Sequence, residues 1–552
     1  MWLHLFPASE LLDTIAKQHY ERNIELSPYR GTIYDHRYVP LAISIKSPSL
    51  AVNPRVFNPT NDEIKKLSKL LKISPGKIKE LRHKKNYFAW LKRKVGFESS
   101  EKVSSMNIKG LHKLTEPARF YPQGTYGAHL IGFVGTDDTG LFGLERAHEK
   151  KLSGASINSL RLKDAKGQPI FLSADSALPQ QSGLNIVLTL DSVVQEIAEK
   201  ALAKWTRLAR AKHGFAIVSD PHTGRILALA NQPEFDPNKP VGLDVQKTIN
   251  FAVTGLFEPG SVVKPIVIAT AIEKKLVGEN DVHTCEKNGR LKIDSNNFIH
   301  DDHPKEFLTT TEIIVNSSNI CAYKIAKRLG KKALWETYRS FGFDSGNTIL
   351  DLPGATAGRI SRPESWGELR FANIAFGQGL LVTGLEMVQA FAVFANGGNL
   401  IKPYLIERIE SDDGNILFSY NTLQKTKVLS PKTVNFMRKA LVRVVTEGTG
   451  TLAQSDWYTT AGKTGTAEKV DSSTRRYSAE KRIPNFVGFA PVSDPHILVY
   501  IALDEPREKP YYGGKWAAPA FSEIVTKTLK YLNVAPDKAN QENEKERLSI
   551  NQ

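Results

Sequence analysis

Cysteine is almost missing from this chain. Of 552 residues only Cys285 and Cys321 are cysteines, too few for a disulfide scaffold or a Cys-rich metal site. They allow one bridge at most, and two buried thiols are expected. Long hydrophobic runs are missing as well. The longest, Pro265 to Ile272 and Met387 to Asn396, fall short of the roughly 18 residues that cross a bilayer and read as core. The opening MWLHLFPASE lacks the basic start, apolar stretch and small-residue cleavage site of an export sequence, so the chain reads as soluble. No repeat of fixed period occurs. Histidines and cysteines form no cluster with metal-ligand spacing, and Asp301-Asp302-His303 reads as a polar loop.

What is present is ordinary globular usage, 41% hydrophobic and 24% charged, which excludes collagen, coiled coil and wholesale disorder. With 74 Lys and Arg against 58 Asp and Glu, the net charge is +16. That balance favours an anionic partner: nucleic acid, lipid headgroups or an acidic polymer. A nucleic-acid role would explain the charge and nothing else, and none is expected.

Three regions separate by pattern. Residues 1–180 begin with short β-like pieces. A basic stretch, Ile64 to Val95, comes next, with apolar residues three and four apart; it predicts an amphipathic helical hairpin broken near Pro75-Gly76. Its lysines read as a solvated helix face, with a lipid- or polymer-binding patch as the alternative kept open by Tyr87, Phe88 and Trp90. Residues 181–532 open with a strand (NIVLTLD), and Asp191 is placed to cap the helix after it. GFAIVSDPHTGRILALAN predicts a β-hairpin turning at Asp220 to Gly224. Helical patterns then run from Val262 to Asn396, and strands return at Asn485 to Ala490 and Ile497 to Leu503. Strands, then helices, then strands predict an α+β domain whose antiparallel sheet is built from both ends of the region. Residues 533–552 read as a disordered polar tail.

The chemistry-bearing segment is Phe257-Glu258-Pro259-Gly260-Ser261-Val262-Val263-Lys264. A serine and a lysine three apart on a helix share a face. A serine hydroxyl needs a base to become a nucleophile, and lysine can be one only when burial or another cation lowers its pKa. Ser-x-x-Lys alone is weak, since Ser74, Ser99 and Ser478 begin others. Two downstream segments set Ser261 apart: Ser317-Ser318-Asn319 ahead of a helical run, and the single Lys463-Thr464-Gly465 in a strand-like segment. Ser-x-x-Lys, Ser-x-Asn and Lys-Thr-Gly in this order form the triplet of penicillin-binding proteins and class A β-lactamases.

On these motifs the chain resembles a class B penicillin-binding protein, a peptidoglycan D,D-transpeptidase of the cell-division, FtsI-like type. The likeness extends to Arg30-Gly31, Arg119-Phe120-Tyr121-Pro122, Gly143-Leu144-Glu145, Phe376-Gly377-Gln378-Gly379 and Ala517-Ala518-Pro519-Ala520-Phe521. It implies an elongated N-terminal pedestal and a serine β-lactamase-like transpeptidase domain, an antiparallel sheet flanked by helices. It also implies roles: Ser261 as nucleophile, Lys264 as general base, Ser317 as proton relay to the leaving D-Ala, and Asn319 as holder of Lys264 and the substrate amide. Lys463 would lower the pKa of Lys264 and attract the terminal carboxylate, which Thr464 and Thr466 would bind. Gly465 would let the substrate backbone lie against the strand edge. The N–H groups of Ser261 and Thr466 would form the oxyanion hole. Ideal alternation cannot aim Lys463, Thr464 and Thr466 at one cleft, so a long lysine side chain or a twisted edge must reconcile them.

The resemblance further implies stem peptides as substrates, β-lactams as covalent inhibitors, no cofactor or metal, and a septal glycosyltransferase and other division proteins as partners. It places the protein at the periplasmic face of the cytoplasmic membrane, where relatives carry a helix before a segment like Leu11 to Arg22; that helix is not visible here. Two departures stand out: Asp35-His36-Arg37-Tyr38 replaces the usual Asp-Arg-Asn-Gly turn and puts the local hairpin in doubt, and the membrane helix that relatives carry is missing. The pedestal lacks a glycosyltransferase motif, which argues against a bifunctional class A protein. The alternatives are a β-lactam-hydrolysing or sensing enzyme using the same serine, which would need a deacylating carboxylate, and a non-catalytic division scaffold.

Overall fold

A computed structural model of the chain describes residues 24–26, 28–154, 157–159, 182–295, 297–346, 352–420, 424–470 and 477–538. The expected anchor-proximal segment, Leu11 to Arg22, lies outside them. No helix among the described residues is long and apolar enough to cross a membrane.

The N-terminal region is organised by one long strand, Pro40–Val52, which pairs antiparallel with Leu111–Phe120 and with Ala89–Lys92. The hairpin that the altered turn places in doubt is intact. Asp35 accepts the N–H groups of Arg37 and Val39 at 2.8 Å each, and Tyr38 adopts the left-handed conformation (φ +61°) where glycine is the easier choice. Three pieces of the resemblance, far apart in sequence, meet in a buried ion network. Arg30 donates to Glu145 at 2.8 Å and Glu149 at 2.9 Å, and Arg119 donates to the other Glu145 oxygen at 2.6 Å.

The basic stretch departs from the helical hairpin. Asn61–Leu71 is a helix with a Thr60/Glu63 capping box, and Pro75–Leu81 is a second helix capped by Ser74. The FAWLKRKV half instead forms the strand Ala89–Lys92, paired with Leu50 to Val52. Ala89 and Leu91 are buried and alternate with half-buried Trp90 and Lys92, a period of two that the edge of the long strand selects over the helical period.

The second region is the expected α+β unit. Its five-stranded antiparallel sheet runs Ala461–Val470, Tyr477–Ala490, Ile497–Asp504, His213–Ser219, Ile226–Gln232. Alternate residues feed two cores. Phe215, Ile217, Phe489 and Tyr500 pack into the larger one, with helices Lys264–Glu273 and Gly384–Ala395. Ala216, Val218, Val499 and Ile501 face the other, with helices Ser192–Ala209 and Gly513–Tyr531. Asp191 caps Ser192–Ala209 as expected, accepting the N–H groups of Val193 and Val194. The strand Asn185–Leu188 goes elsewhere: it runs parallel to Ile33–Tyr34 and antiparallel to Ile406–Glu410. The two regions therefore share a seven-stranded sheet.

Two expectations are corrected. Cys285 and Cys321 are not free thiols but a disulfide, with Cα atoms 5.2 Å apart; the fold brings a strand end and a helix start to bridging distance. The tail does not begin at residue 533. Tyr458 donates to the Val534 carbonyl at 2.9 Å, and Asp537 accepts the Thr459 N–H at 2.7 Å, so the chain stays packed to residue 538; the rest lies outside the described residues.

Candidate active site

The turn before Ser261 is strapped to the 377–382 segment. Phe257 and Val382 exchange backbone hydrogen bonds at 2.9 and 3.1 Å, and Gly260 donates to the Gly377 carbonyl at 2.9 Å. Gly377 has φ +91°, and a Cβ there would stand 2.0 Å from the Gly260 oxygen; only glycine permits this approach. Glu258 secures the same turn, accepting from Gly379 N–H and Tyr477 Oη at 3.0 Å each. Ser261 then sits in a 3₁₀ turn, Gly260–Val263, that runs into the α-helix Lys264–Glu273.

Lys264 is fully buried. Its ammonium donates to the Ser317 carbonyl, to Ser317 Oγ at 3.2 Å and to Asn319 Oδ1 at 2.6 Å. Among the described residues no hydrogen bond joins it to the Ser261 hydroxyl. Ser317 is held with φ +59°, a conformation that non-glycine residues adopt rarely and that concentrates at functional sites. Lys463, equally buried, donates to Ser317 Oγ at 3.0 Å and to the Thr464 carbonyl at 3.1 Å. One hydroxyl, that of Ser317, thus accepts from two ammonium groups on distant segments.

Burial lowers Lys264 from the ordinary lysine range to about 7, against the opposing pull of Asp301 and Asp302. Burial also takes Lys463 well below that range, and the Lys264 charge lowers it further. The resemblance implies that Lys463 acts on Lys264. Repulsion between the two is mutual, and the proton they can lose belongs to the pair.

The alternation problem is settled by side-chain length. Thr464, Gly465 and Thr466 line a cavity of about 670 Å³ together with Ser261, Ser317 and Asn319, a volume typical of small-molecule sites. Lys463 lies behind it and reaches round to Ser317. Gly465 has a structural reason besides the expected one: a Cβ there would lie 2.5 Å from Asn485 Oδ1 and 2.9 Å from the Pro259 carbonyl, prising the strand from the Ser261 turn. Thr466 pairs with Pro484, which has no N–H to give, and a Cβ on Gly260 would lie 3.1 Å from the Thr466 carbonyl. The Thr466 peptide therefore lies beside the Ser261 turn.

The sequence places Asp301 in a polar loop, and the structure gives it a larger part. Its Oδ2 accepts from Ser318 Oγ at 2.6 Å, and its Oδ1 accepts the N–H groups of Asn319 at 2.5 Å and Ile320 at 3.0 Å. It thereby satisfies the first two N–H groups of the helix Asn319–Leu329, whose N-cap is Ser318. The neighbouring His300 carbonyl accepts from Asn319 Nδ2 at 2.7 Å, which fixes the amide so that its oxygen faces Lys264. Thr449 likewise belongs to none of the motifs, yet its hydroxyl lies 2.6 Å from that of Thr464. Nothing local in the sequence marks these positions, since a lone Asp or Thr in a loop carries no periodicity.

Comparison with known proteins decides the family. Residues 214–526 match the penicillin binding protein transpeptidase domain, and residues 25–188 match the penicillin-binding protein dimerisation domain. The chain belongs to the penicillin-binding proteins. Within them it is of class B and FtsI-like. It is 34% identical over 540 residues to stage V sporulation protein D of Bacillus subtilis, covering 97% of this chain and 83% of that protein. It is 30% identical over 523 residues to the peptidoglycan D,D-transpeptidase FtsI of Escherichia coli K12, covering 93% and 85%. Among solved structures, penicillin binding protein 3 of Mycobacterium tuberculosis complexed with aztreonam aligns with a TM-score of 0.72 at 25% identity, covering 93% of this chain and 98% of that one. The two-domain fold of this penicillin-binding protein is that of its relatives.

Proposed function

We propose that the protein is a serine D,D-transpeptidase that crosslinks peptidoglycan stem peptides during septum formation, through an acyl-enzyme on Ser261. The observation that carries this is the Ser317 hydroxyl held between the buried ammonium groups of Lys264 and Lys463, on the wall of the cavity that Ser261 also lines.

Neutral Lys264 takes the Ser261 proton as Oγ attacks the carbonyl carbon of the penultimate D-Ala. The N–H groups of Ser261 and Thr466 hold the resulting oxyanion, each donor contributing about 3 kcal/mol. Ser317 accepts from both lysines, so its own proton is free to pass to the leaving nitrogen, and Lys264 replaces it. The C–N bond breaks, D-Ala departs as the amine, and an ester remains. Thr464 and Thr466, with Lys463 behind them, receive the terminal carboxylate. An amine from a second stem peptide then attacks the ester, its proton returns along the same path to Ser261 Oγ, and the crosslink forms. A β-lactam enters the first half of this sequence and stays on Ser261.

In this reading residues 1–180 serve as pedestal and residues 181–532 carry the chemistry, at the periplasmic face of the cytoplasmic membrane beside a glycosyltransferase and other division proteins. The Cys285–Cys321 disulfide supports an oxidising compartment. The test is incubation with a stem pentapeptide mimic and a D-amino acid acceptor. Exchange of the terminal D-Ala, absent in Ser261→Ala, is expected, together with a stable adduct rather than turnover of a chromogenic cephalosporin. Turnover of the cephalosporin without exchange would replace this reading with a hydrolase.

A further inference from the structure

Residues 64–95 hold twelve Lys and Arg against one acid, Glu80, so this short segment supplies most of the chain's excess positive charge. The helices Asn61–Leu71 and Pro75–Leu81 bury Ile64, Leu67, Leu71, Ile78 and Leu81 in a small core of their own with Leu50, Phe57 and Leu91. Most of the basic side chains are turned outward. Arg93 and Lys94 are absorbed by Glu116 and Asp138, and Lys65 by Asp62. Lys66, Lys69, Lys72, Lys77, Lys79 and Arg82 are exposed, as are Lys84 and Lys85 in the next turn. Among the described residues none of these has a carboxylate within ion-pair distance. Burial, and after it the charges of Lys72 and Lys77, hold Lys92 below the ordinary lysine range.

The same lobe exposes large apolar groups: Val56 and Tyr87 at 41% and Phe97 at 61%. Arg55 lies over the Tyr87 ring, 3.8 Å from its centroid, and donates to the Lys85 carbonyl, so cation and aromatic sit together. A solvated helix face explains lysines alone. It does not explain unpaired cations interleaved with exposed aromatics, the pattern that suits a headgroup layer with anionic lipids. We propose that this lobe docks on the surface of an anionic lipid bilayer, with lysines among the headgroups and Tyr87 and Phe97 at the acyl boundary. The proposal stands independently of the chemistry at Ser261.

The test is co-sedimentation of the full chain with vesicles of phosphatidylcholine containing phosphatidylglycerol, compared with phosphatidylcholine alone. Binding to the anionic vesicles that weakens with salt is expected. Replacing Lys66, Lys69, Lys77 and Lys79 together by Gln should weaken it by about several hundredfold, each basic residue near such a surface contributing about fivefold. Phe97→Ser should weaken it about tenfold while leaving the salt dependence in place. Native circular dichroism and an unchanged thermal unfolding midpoint in both variants show that they are folded. Absence of binding to anionic vesicles, binding that the quadruple variant retains, or capture by a soluble polyanion without vesicle binding would each overturn the proposal.

Discussion

At the residue scale the account turns on protonation. Lys264 must be neutral to accept the Ser261 proton, and burial brings it to about 7, so β-lactam acylation should rise with pH through about 7 and level off above it. Stopped-flow acylation across pH 5.5 to 9 checks this; a flat profile would contradict it. Asp301 stabilises the charged form of Lys264, so Asp301→Asn should move the limb to lower pH. The same change loosens the start of the helix carrying Asn319 and should slow acylation by about tenfold, a modest misplacement of a catalytic group. Ser261, Lys264, Ser317 and Lys463 are legible in the sequence because short motifs carry them. Asp301 is not, because its role exists only once the loop folds over the helix.

At the element scale, segments far apart are held by close contacts. Gly377→Ala places a methyl against the Gly260 carbonyl and adds left-handed strain of about 1–2 kcal/mol. The Ser261 turn must then shift, and acylation should fall on the order of a hundredfold while circular dichroism stays native. The Cys285–Cys321 disulfide closes 36 residues that include Asp301 and Ser318. Cys285→Ser/Cys321→Ser should cost about 2–4 kcal/mol in guanidinium unfolding, and no loss of stability would remove the bridge from the account. The β-hairpin and the Asp191 cap follow directly from alternation and turn residues. The strand in FAWLKRKV does not: lysines at mixed spacing satisfy either period, and the free edge of Pro40–Val52 decides for a strand.

At the scale of the whole molecule, the pedestal and the catalytic region share a sheet, and the pedestal's own integrity rests on Arg30, Arg119 and Glu145. Arg30→Ala leaves Glu145 buried beside a single partner and should destabilise the chain by about 3–5 kcal/mol; acylation per folded molecule should stay unchanged, as read by differential scanning calorimetry and labelling on one sample. The order of strands and helices announces the α+β unit, whereas nothing in Asn185 to Leu188 announces that this strand crosses to the other sheet. What joins every scale is one covalent event. Intact-protein and peptide mass spectrometry after incubation with benzylpenicillin measures it directly. The account predicts one adduct per chain, on the peptide containing Ser261, and none in Ser261→Ala. An adduct mapping to another residue, or none on well-folded protein, would contradict it.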